Sequence, residues 1–272
     1  RREGVLCRPV SYWLEWRGHG EAARRKADDM SSFEGRVVAV TGAGSGIGAA
    51  TAALLGERCA RVVVLDRAWQ QGRAVQSEGM AETLDVTDEA SVARAFDAVR
   101  QRFGHLDGLA TCAGIVDTHP FADLDAAAFR KVYDVNAVGT STCMKAASTL
   151  MKSGGRIVTI SSIAGIRGGG LLGTAAYSAS KGAVLALTKS AARALGGKGI
   201  AVNCVAPGPT ETAMTDAAFA DASRKTMVSG LTALGRTASP TEIAEAIVWL
   251  LSPASSFVSG ATLVVDGGIV ML

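Results

Sequence analysis

The chain has 272 residues, 48% of them hydrophobic and 19% charged, with 28 Lys+Arg against 25 Asp+Glu. This composition supports a large core and excludes a chain disordered throughout, while a net charge of +3 is too weak to indicate nucleic acid or an anionic membrane surface as partner. No period or biased repeat runs through it, which removes the collagen, coiled-coil and low-complexity classes.

Residues 1–30 mix basic residues with Glu3, Glu15, Glu21, Asp28 and Asp29, and hold Trp13 and Trp16 without a clear strand or helix period. They read as a disordered, non-core N-terminal extension, or as a start called upstream of Met30; the acids argue against a transit peptide. Residues 31–272 read as one domain. Arg36–Thr41 is a β-branched run suited to a buried parallel strand. A glycine-rich turn and an alanine-rich helix to Cys59 follow. Val37–Gly56 lacks charge, but its glycines interrupt the apolar pattern, so strand, loop and helix fit better than a membrane span.

Arg61–Asp66 is the second strand, a helix is expected near 70–79, and a short third strand ends at Asp85. Val92, Phe96 and Val99 give helix 88–103 one buried face, with Thr87 or Asp88 as its N-cap. Strand 106–111 precedes a long helix expected from Ala126 to Met151. Strand 156–161, helix 175–195, strand 200–205, helix 240–251 and strand 262–265 complete the chain. Strands separated by helices of this length predict an α/β fold: a doubly wound parallel sheet of about seven strands, with helices on both faces. Cysteines 7, 59, 112, 143 and 204 are odd in number and show no ligand spacing. Reduced thiols, a cytoplasmic setting and no metal site are expected.

Glycine is enriched, at 32 residues, and its clustering directs attention to Thr41–Gly48. There Gly42, Gly44, Ser45, Gly46, Ile47 and Gly48 lie between a strand and a helix, in a G-x-x-x-G-x-G spacing rather than a strict Rossmann G-x-G-x-x-G. Glycines there let backbone approach a pyrophosphate seated on the next helix N-terminus. Asp66, at the end of the second strand, can accept hydrogen bonds from ribose hydroxyls and would repel a 2′-phosphate. NAD is therefore expected over NADP, although neighbouring Arg67 could face a phosphate.

Tyr177 and Lys181 stand at i and i+4, on one helix face. A free phenol has a pKa near 10, too high for a base at neutral pH; a nearby ammonium and an oxidised nicotinamide would favour the phenolate. Ser162, just past a strand end, can face the crevice where such sheets bind ligands.

Thr41–Gly48, Ser162 and the Tyr177/Lys181 pair together resemble the short-chain dehydrogenase/reductase family, over about Phe33 to Ile269. The resemblance implies a Rossmann-type domain carrying both cofactor and substrate sites. It also implies roles for further residues. Asp85 and Val86 would contact adenine, and Cys112, Ala113 and Gly114 would approach the cofactor. Asn136 would hold a water for a proton relay. Pro207, Gly208, Thr210 and Thr212 would meet the nicotinamide end, and Asp266-Gly267-Gly268 matches the family's C-terminal signature.

Two departures are visible. Thr111-Cys112-Ala113-Gly114 replaces the family's Asn-Asn-Ala-Gly, removing side-chain hydrogen bonds from that loop. Ser162 and Tyr177 are 15 apart where the family usually has 13, and the surplus is assigned to Gly168–Gly173. Ser161, one residue further from Tyr177, is the weaker choice.

The implied reaction is hydride transfer between NAD(H) and a secondary alcohol or ketone. Tyr177 takes or gives the proton, Ser162 orients the oxygen, and protons leave through the ribose, Lys181 and the Asn136 water. Glu211–Ser229 is expected to cover the substrate, with Ala213, Met214, Ala217, Ala218, Phe219 and Met227 as apolar surface suited to a hydrophobic or cyclic alcohol or a hydroxyacyl group. Arg167 reads as a solvated loop charge rather than a carboxylate partner. Two rivals are carried. A 3-oxoacyl carrier-protein reductase would use NADPH, which Asp66 opposes; a non-catalytic nucleotide-binding regulator is opposed by four filled catalytic positions. Small and apolar residues on helices 126–151 and 175–195 imply, by the same resemblance, a homotetramer or a dimer.

Overall fold

The computed structural model describes residues 33–68, 78–169 and 174–271. The expected extension 1–30, most of the helix near 70–79 and part of the Gly168–Gly173 loop lie outside them.

Seven parallel strands form one sheet in the order β3-β2-β1-β4-β5-β6-β7. They are β1 (Val37–Thr41), β2 (Arg61–Asp66), β3 (Met80–Thr83), β4 (Leu106–Thr111), β5 (Met151–Ile160), β6 (Ala201–Pro207) and β7 (Thr262–Val265). Alternation along the strands divides the core in two. Val37, Ala39, Val63, Leu65, Leu109 and Ile157 face one side. There they meet Val92, Phe96 and Val99 of α2 (Glu89–Phe103) and Cys143, Met144 and Ala147 of α4 (Gly139–Ser148). Val38, Val40, Val62, Val64, Ala110 and Val158 face the other side. There they meet Leu54 and Leu55 of α1 (Gly46–Glu57) and Ile243, Ile247, Leu250 and Leu251 of α9 (Pro240–Leu251). Both faces are covered, so the central strands read as continuous apolar runs.

The strand order reverses between β1 and β4, whose last residues, Thr41 and Thr111, are register partners. The loops after them leave the sheet at one level and open the crevice where such sheets bind ligands.

The expected helix 126–151 is corrected. It runs as α3 (Ala126–Tyr133), a π turn (Asp134–Val138) and α4. Gly139, just after the π turn, packs so tightly that a Cβ would lie 2.7 Å from Val86 Cγ2. Met151 is not helical: it pairs with Leu106 and starts β5, ahead of a register shift that carries Lys152–Gly154 outward. Its apolar side chain fits either element, and the sheet takes it.

Three short helices escaped the sequence reading: α5 (Ile163–Arg167), α7 (Asp216–Phe219) and α8 (Ala222–Gly230). The remaining one, α6 (Ala175–Gly196), lies within a residue of expectation. Asp88 caps α2, accepting from the Ala90 amide. α9 starts with a capping box between Ser239 and Glu242.

Candidate active site

The glycine-rich turn after β1 is shaped by backbone contact. Gly42 and Gly46 have φ of +66° and +53°, the left-handed region that favours glycine. A Cβ on Gly42 would lie 2.6 Å from the Ala113 nitrogen after β4, and one on Gly48 would collide with the Gly42 carbonyl oxygen. The Gly44 amide donates to Asp66 Oδ2 at 2.9 Å, fastening the turn to the end of β2. Ser45 is the N-cap of α1 but its side chain makes no cap hydrogen bond, and the first turn holds no acid. First-turn amides and the helix dipole therefore favour an anion at this end.

Asp66 also accepts from the Ala68 amide at 2.9 Å, so two backbone donors hold its carboxylate at the rim. Asp85 accepts from the Thr87 hydroxyl at 2.7 Å and the Thr87 amide at 2.9 Å. These bonds hold it below the ordinary carboxylate range, with a smaller contribution from the charge of Arg67. Gly42, Ser45, Gly46, Ile47, Gly48, Asp66, Arg67, Asp85, Val86, Cys112, Ala113, Gly114 and Thr212 line one cavity of about 350 Å³. Gly44 stands behind it, against Asp66.

Tyr177, Lys181, Ser162, Pro207, Gly208 and Thr210 line a neighbouring cavity of about 560 Å³. The two cavities share Ile47, Cys112, Gly114, Thr212 and Met214, so they form one cleft. Lys181 lies one turn after Tyr177 on α6, its Nζ 5.8 Å from the Tyr177 ring centroid and donating to the Ile160 carbonyl at 2.8 Å.

The structure separates the two candidate serines. Ser161 Oγ is buried and donates to the Lys181 carbonyl at 2.7 Å. Ser162 caps α5, accepting from the Ala164 amide at 3.1 Å, and lines the cavity together with Tyr177. α5 packs directly on α6: a Cβ on Gly165 would lie 2.6 Å from the Lys181 carbonyl carbon.

Asn136, on the π turn, is fully buried and lines neither cavity. Its Oδ1 accepts from the Ile115 amide at 2.9 Å. Its Nδ2 donates to the Ile115 carbonyl at 2.9 Å and to Ser180 Oγ at 3.0 Å. Ser180 in turn donates to the Tyr177 carbonyl at 2.7 Å. Asn136 thus ties the loop after β4 to the helix carrying Tyr177. Thr174 adds a second tie, donating to Asp117 Oδ2 at 2.8 Å. Burial works against the Asp117 charge, but hydrogen bonds from His119 and Thr174 outweigh it and hold the carboxyl below its ordinary value.

Burial pushes the Tyr177 phenol above its ordinary value, opposed by the Ser162 hydroxyl. Burial also lowers Lys181, to about 8. Both groups lie in a low-dielectric pocket that disfavours their charged forms.

The expected substrate cover is corrected in detail. Met214, Ala217 and Ala218 line the larger cavity and Ala213 the smaller, but Phe219 and Met227 line neither. α8 leaves Met227 exposed and turns Arg224 toward the cavity instead. Arg167 is exposed and outside the lining. Arg224, Val116, Thr118, Ile163 and Thr174 line the cavity without having been singled out. For Arg224 the available signal was Asp221, which caps α8 by accepting from the Ser223 and Arg224 amides.

A family model described as enoyl-(acyl carrier protein) reductase matches residues 42–270. A solved short-chain dehydrogenase/reductase from Brucella melitensis, titled a glucose/ribitol dehydrogenase, superposes with a TM-score of 0.80 at 33% identity, over 89% of this chain and 99% of that one. The chain belongs to the short-chain dehydrogenase/reductase family. This short-chain dehydrogenase/reductase is 45% identical over 246 residues to a cis-4-hydroxycyclohexanecarboxylate dehydrogenase of Sinomonas cyclohexanicum, covering 87% of this chain and 97% of the relative. It is 35% identical to the 3-oxoacyl-(acyl-carrier-protein) reductase of Escherichia coli, over 89% of this chain and all of the relative. It is an oxidoreductase acting on CH–OH groups. No helix among the described residues is long and apolar enough to cross a membrane.

Proposed function

We propose that this enzyme is an NAD(H)-dependent dehydrogenase of secondary alcohols on an apolar, ring-sized skeleton. The observation that carries the reading is the continuity of the two cavities. The glycine cradle opens directly onto the chamber that holds Tyr177 and Ser162.

The residues fit a dinucleotide. Gly42 and Gly48 leave no room for side chains where backbone must come close. The α1 N-terminus suits a pyrophosphate, and Asp66 presents a fixed carboxylate to ribose hydroxyls. Asp66 would repel a 2′-phosphate, which supports NAD over NADP. When bound, the nicotinamide supplies the hydride acceptor or donor.

Tyr177 takes the hydroxyl proton in oxidation and returns it in reduction. Ser162 lines the same cavity as Tyr177 and would hold the substrate oxygen. Burial raises Tyr177, so positive charge must favour its phenolate during oxidation. Lys181 carries that charge and, at about 8, exchanges protons near neutral pH. Asn136 positions α6 through Ser180 and Ile115; a relay water at this residue stays part of the proposal. Val116, Ile163, Met214, Ala217 and Ala218 supply the apolar wall. The substrate for which the Sinomonas relative is named, a ring alcohol, gives the first compounds to try.

Residues 1–30 are proposed to lie outside the domain. Relatives matched over 97% and 100% of their own lengths use only 87% and 89% of this chain, which supports that reading. A homotetramer or dimer is proposed from exposed Phe121 and Val138 beside α3 and α4, and from Trp249, Phe257 and Met271 around α9 and the edge strand β7. Light scattering showing a monomer at micromolar concentration would contradict this. A cytoplasmic, reducing setting is proposed from four free cysteines among the described residues.

The direct test follows reduced nicotinamide while ring secondary alcohols are offered with NAD⁺. Turnover is expected, and Tyr177→Phe should lose it by about a hundredfold or more while still binding NADH. Undiminished turnover in that variant would remove Tyr177 from the role. Faster NADPH-dependent reduction of a 3-oxoacyl thioester would favour the carrier-protein reductase. Nucleotide binding without turnover of either class would favour a regulator.

A further inference from the structure

The loop after β4 works on two sides. Cys112, Gly114, Val116 and Thr118 line the larger cavity, and Ile115 and Asp117 between them tie the loop to α6. Ile115 exchanges two hydrogen bonds with Asn136, which donates to Ser180 on α6. Asp117 accepts from Thr174, the N-cap of α6. Tyr177 lies midway between these ties, three residues after Thr174 and three before Ser180.

The tie at Asp117 is unusual in its use of the cap. An N-cap hydroxyl ordinarily accepts from amides of the first helical turn. The Thr174 side chain makes no such bond. Its hydroxyl instead donates to Asp117 Oδ2 at 2.8 Å, with the Asp117 carbonyl oxygen at 2.9 Å. Asp117 is only 8% exposed and lines neither cavity. Both carboxylate oxygens are engaged: Oδ2 also accepts from the His119 amide at 3.2 Å, and Oδ1 meets His119 Nδ1. These bonds offset the cost of burying the carboxylate. Its charge lies at the start of a helix whose first turn holds no acid, where the helix dipole favours an anion.

We infer that Asp117 is a positioning residue for Tyr177, fixing through Thr174 the first turn of α6 against the loop that walls the chamber. This deepens, and rests on, the alcohol-dehydrogenase reading. Gly114 on that loop lines both cavities, so the loop also borders the cofactor end of the cleft. Proton transfer at Tyr177 and hydride transfer to the nicotinamide act on one bound alcohol, and a shift of α6 against this loop would separate the two. Asp117 itself touches neither reactant and exchanges no proton with them.

The test is the single-turnover rate of NADH formation from cyclohexanol and NAD⁺, with thermal melting of the same samples. The proteins are the wild type, Asp117→Ala, Thr174→Val, Thr174→Ser, the double variant Asp117→Ala/Thr174→Val and, as a stability control remote from the cleft, Ser239→Ala. Asp117→Ala and Thr174→Val should each slow turnover by about tenfold and keep NADH affinity within about twofold. Thr174→Ser, which keeps the hydroxyl, should recover most of the rate. The double variant should lose no more than the slower single variant, because both remove one hydrogen bond. Ser239→Ala should melt lower without slowing turnover.

Full rates in Asp117→Ala and Thr174→Val, with oxidation by the wild type intact, would overturn the positioning role and leave the dehydrogenase reading standing. A slowing that Thr174→Ser does not relieve, or losses that multiply in the double variant, would also overturn it. If Asp117→Ala does not fold, the two Thr174 variants decide alone. A wild type that oxidises neither cyclohexanol nor 4-hydroxycyclohexanecarboxylate overturns the dehydrogenase reading and the proposal together.

Discussion

At the β1 end of the cleft, backbone meets backbone. The turn at Gly42 touches Ala113, Gly48 touches the Gly42 carbonyl, and the Gly44 amide is tied to Asp66. At the α7–α8 end, the wall consists of side chains on two short helices and on the turn before them, with Met214 and Arg224 both exposed. The first end has no space for a different side chain, whereas the second can change residues without disturbing the sheet. On the proposed reading the first end holds the cofactor, and the second, in the segment after Pro207, selects the alcohol.

The sharpest way to break this contrast is to add one methyl group at the rigid end. Gly48→Ala should abolish NADH binding measured by fluorescence, because its Cβ would collide with the Gly42 carbonyl. Near-normal affinity would show that the cradle yields more than its packing implies.

Lys181→Met should lose most turnover yet melt at a higher temperature at pH 7, a stability cost of function. Burial lowers the folded-state value from 10.5 to about 8. Below about 8 the charged ammonium is buried at full cost, and above 10.5 both folded and unfolded states are neutral. The wild type should therefore gain stability between those pH values, and the advantage of the variant should shrink over the same range. Thermal melts across pH check this, and a variant that melts lower at pH 7 would contradict it.

At the adjustable end, Met214→Ala should raise KM for a ring alcohol a few-fold, leaving NADH affinity within about twofold. A large loss of NADH binding would mean the two ends are not separable. The smallest effect lies away from both. Ser239→Ala removes the α9 N-cap and should cost about 1 kcal/mol in urea unfolding, with kcat/KM unchanged.

The same contrast explains what the sequence made legible. The cradle is local: a strand, spaced glycines and Asp66 at the next strand end can be read along a single stretch. Tyr177 and Lys181 are one helical turn apart, so they too are visible. The choice between Ser161 and Ser162 rested on spacing alone, and only the packing of α5 against α6 shows Ser161 turned to the Lys181 carbonyl. The π turn at Asp134–Val138 leaves no mark in composition, because the same residues suit an ordinary helix. Asp221 marks the start of the Arg224 helix, but that Arg224 faces the cavity depends on how residues 211–230 fold over it. Phe219 and Met227 were expected in the wall because they are apolar, but hydrophobicity does not say which side of a short helix faces the cavity.

The most direct measurement is a titration of NADH and NADPH into wild type and Asp66→Ala. Asp66, fixed by the Gly44 and Ala68 amides, should make the wild type bind NADH at least about tenfold more tightly than NADPH, and the variant should level or reverse that ratio. A wild type that prefers NADPH would contradict the account, assign Arg67 the controlling role, and move the enzyme toward the reduction of ketones or oxoacyl groups.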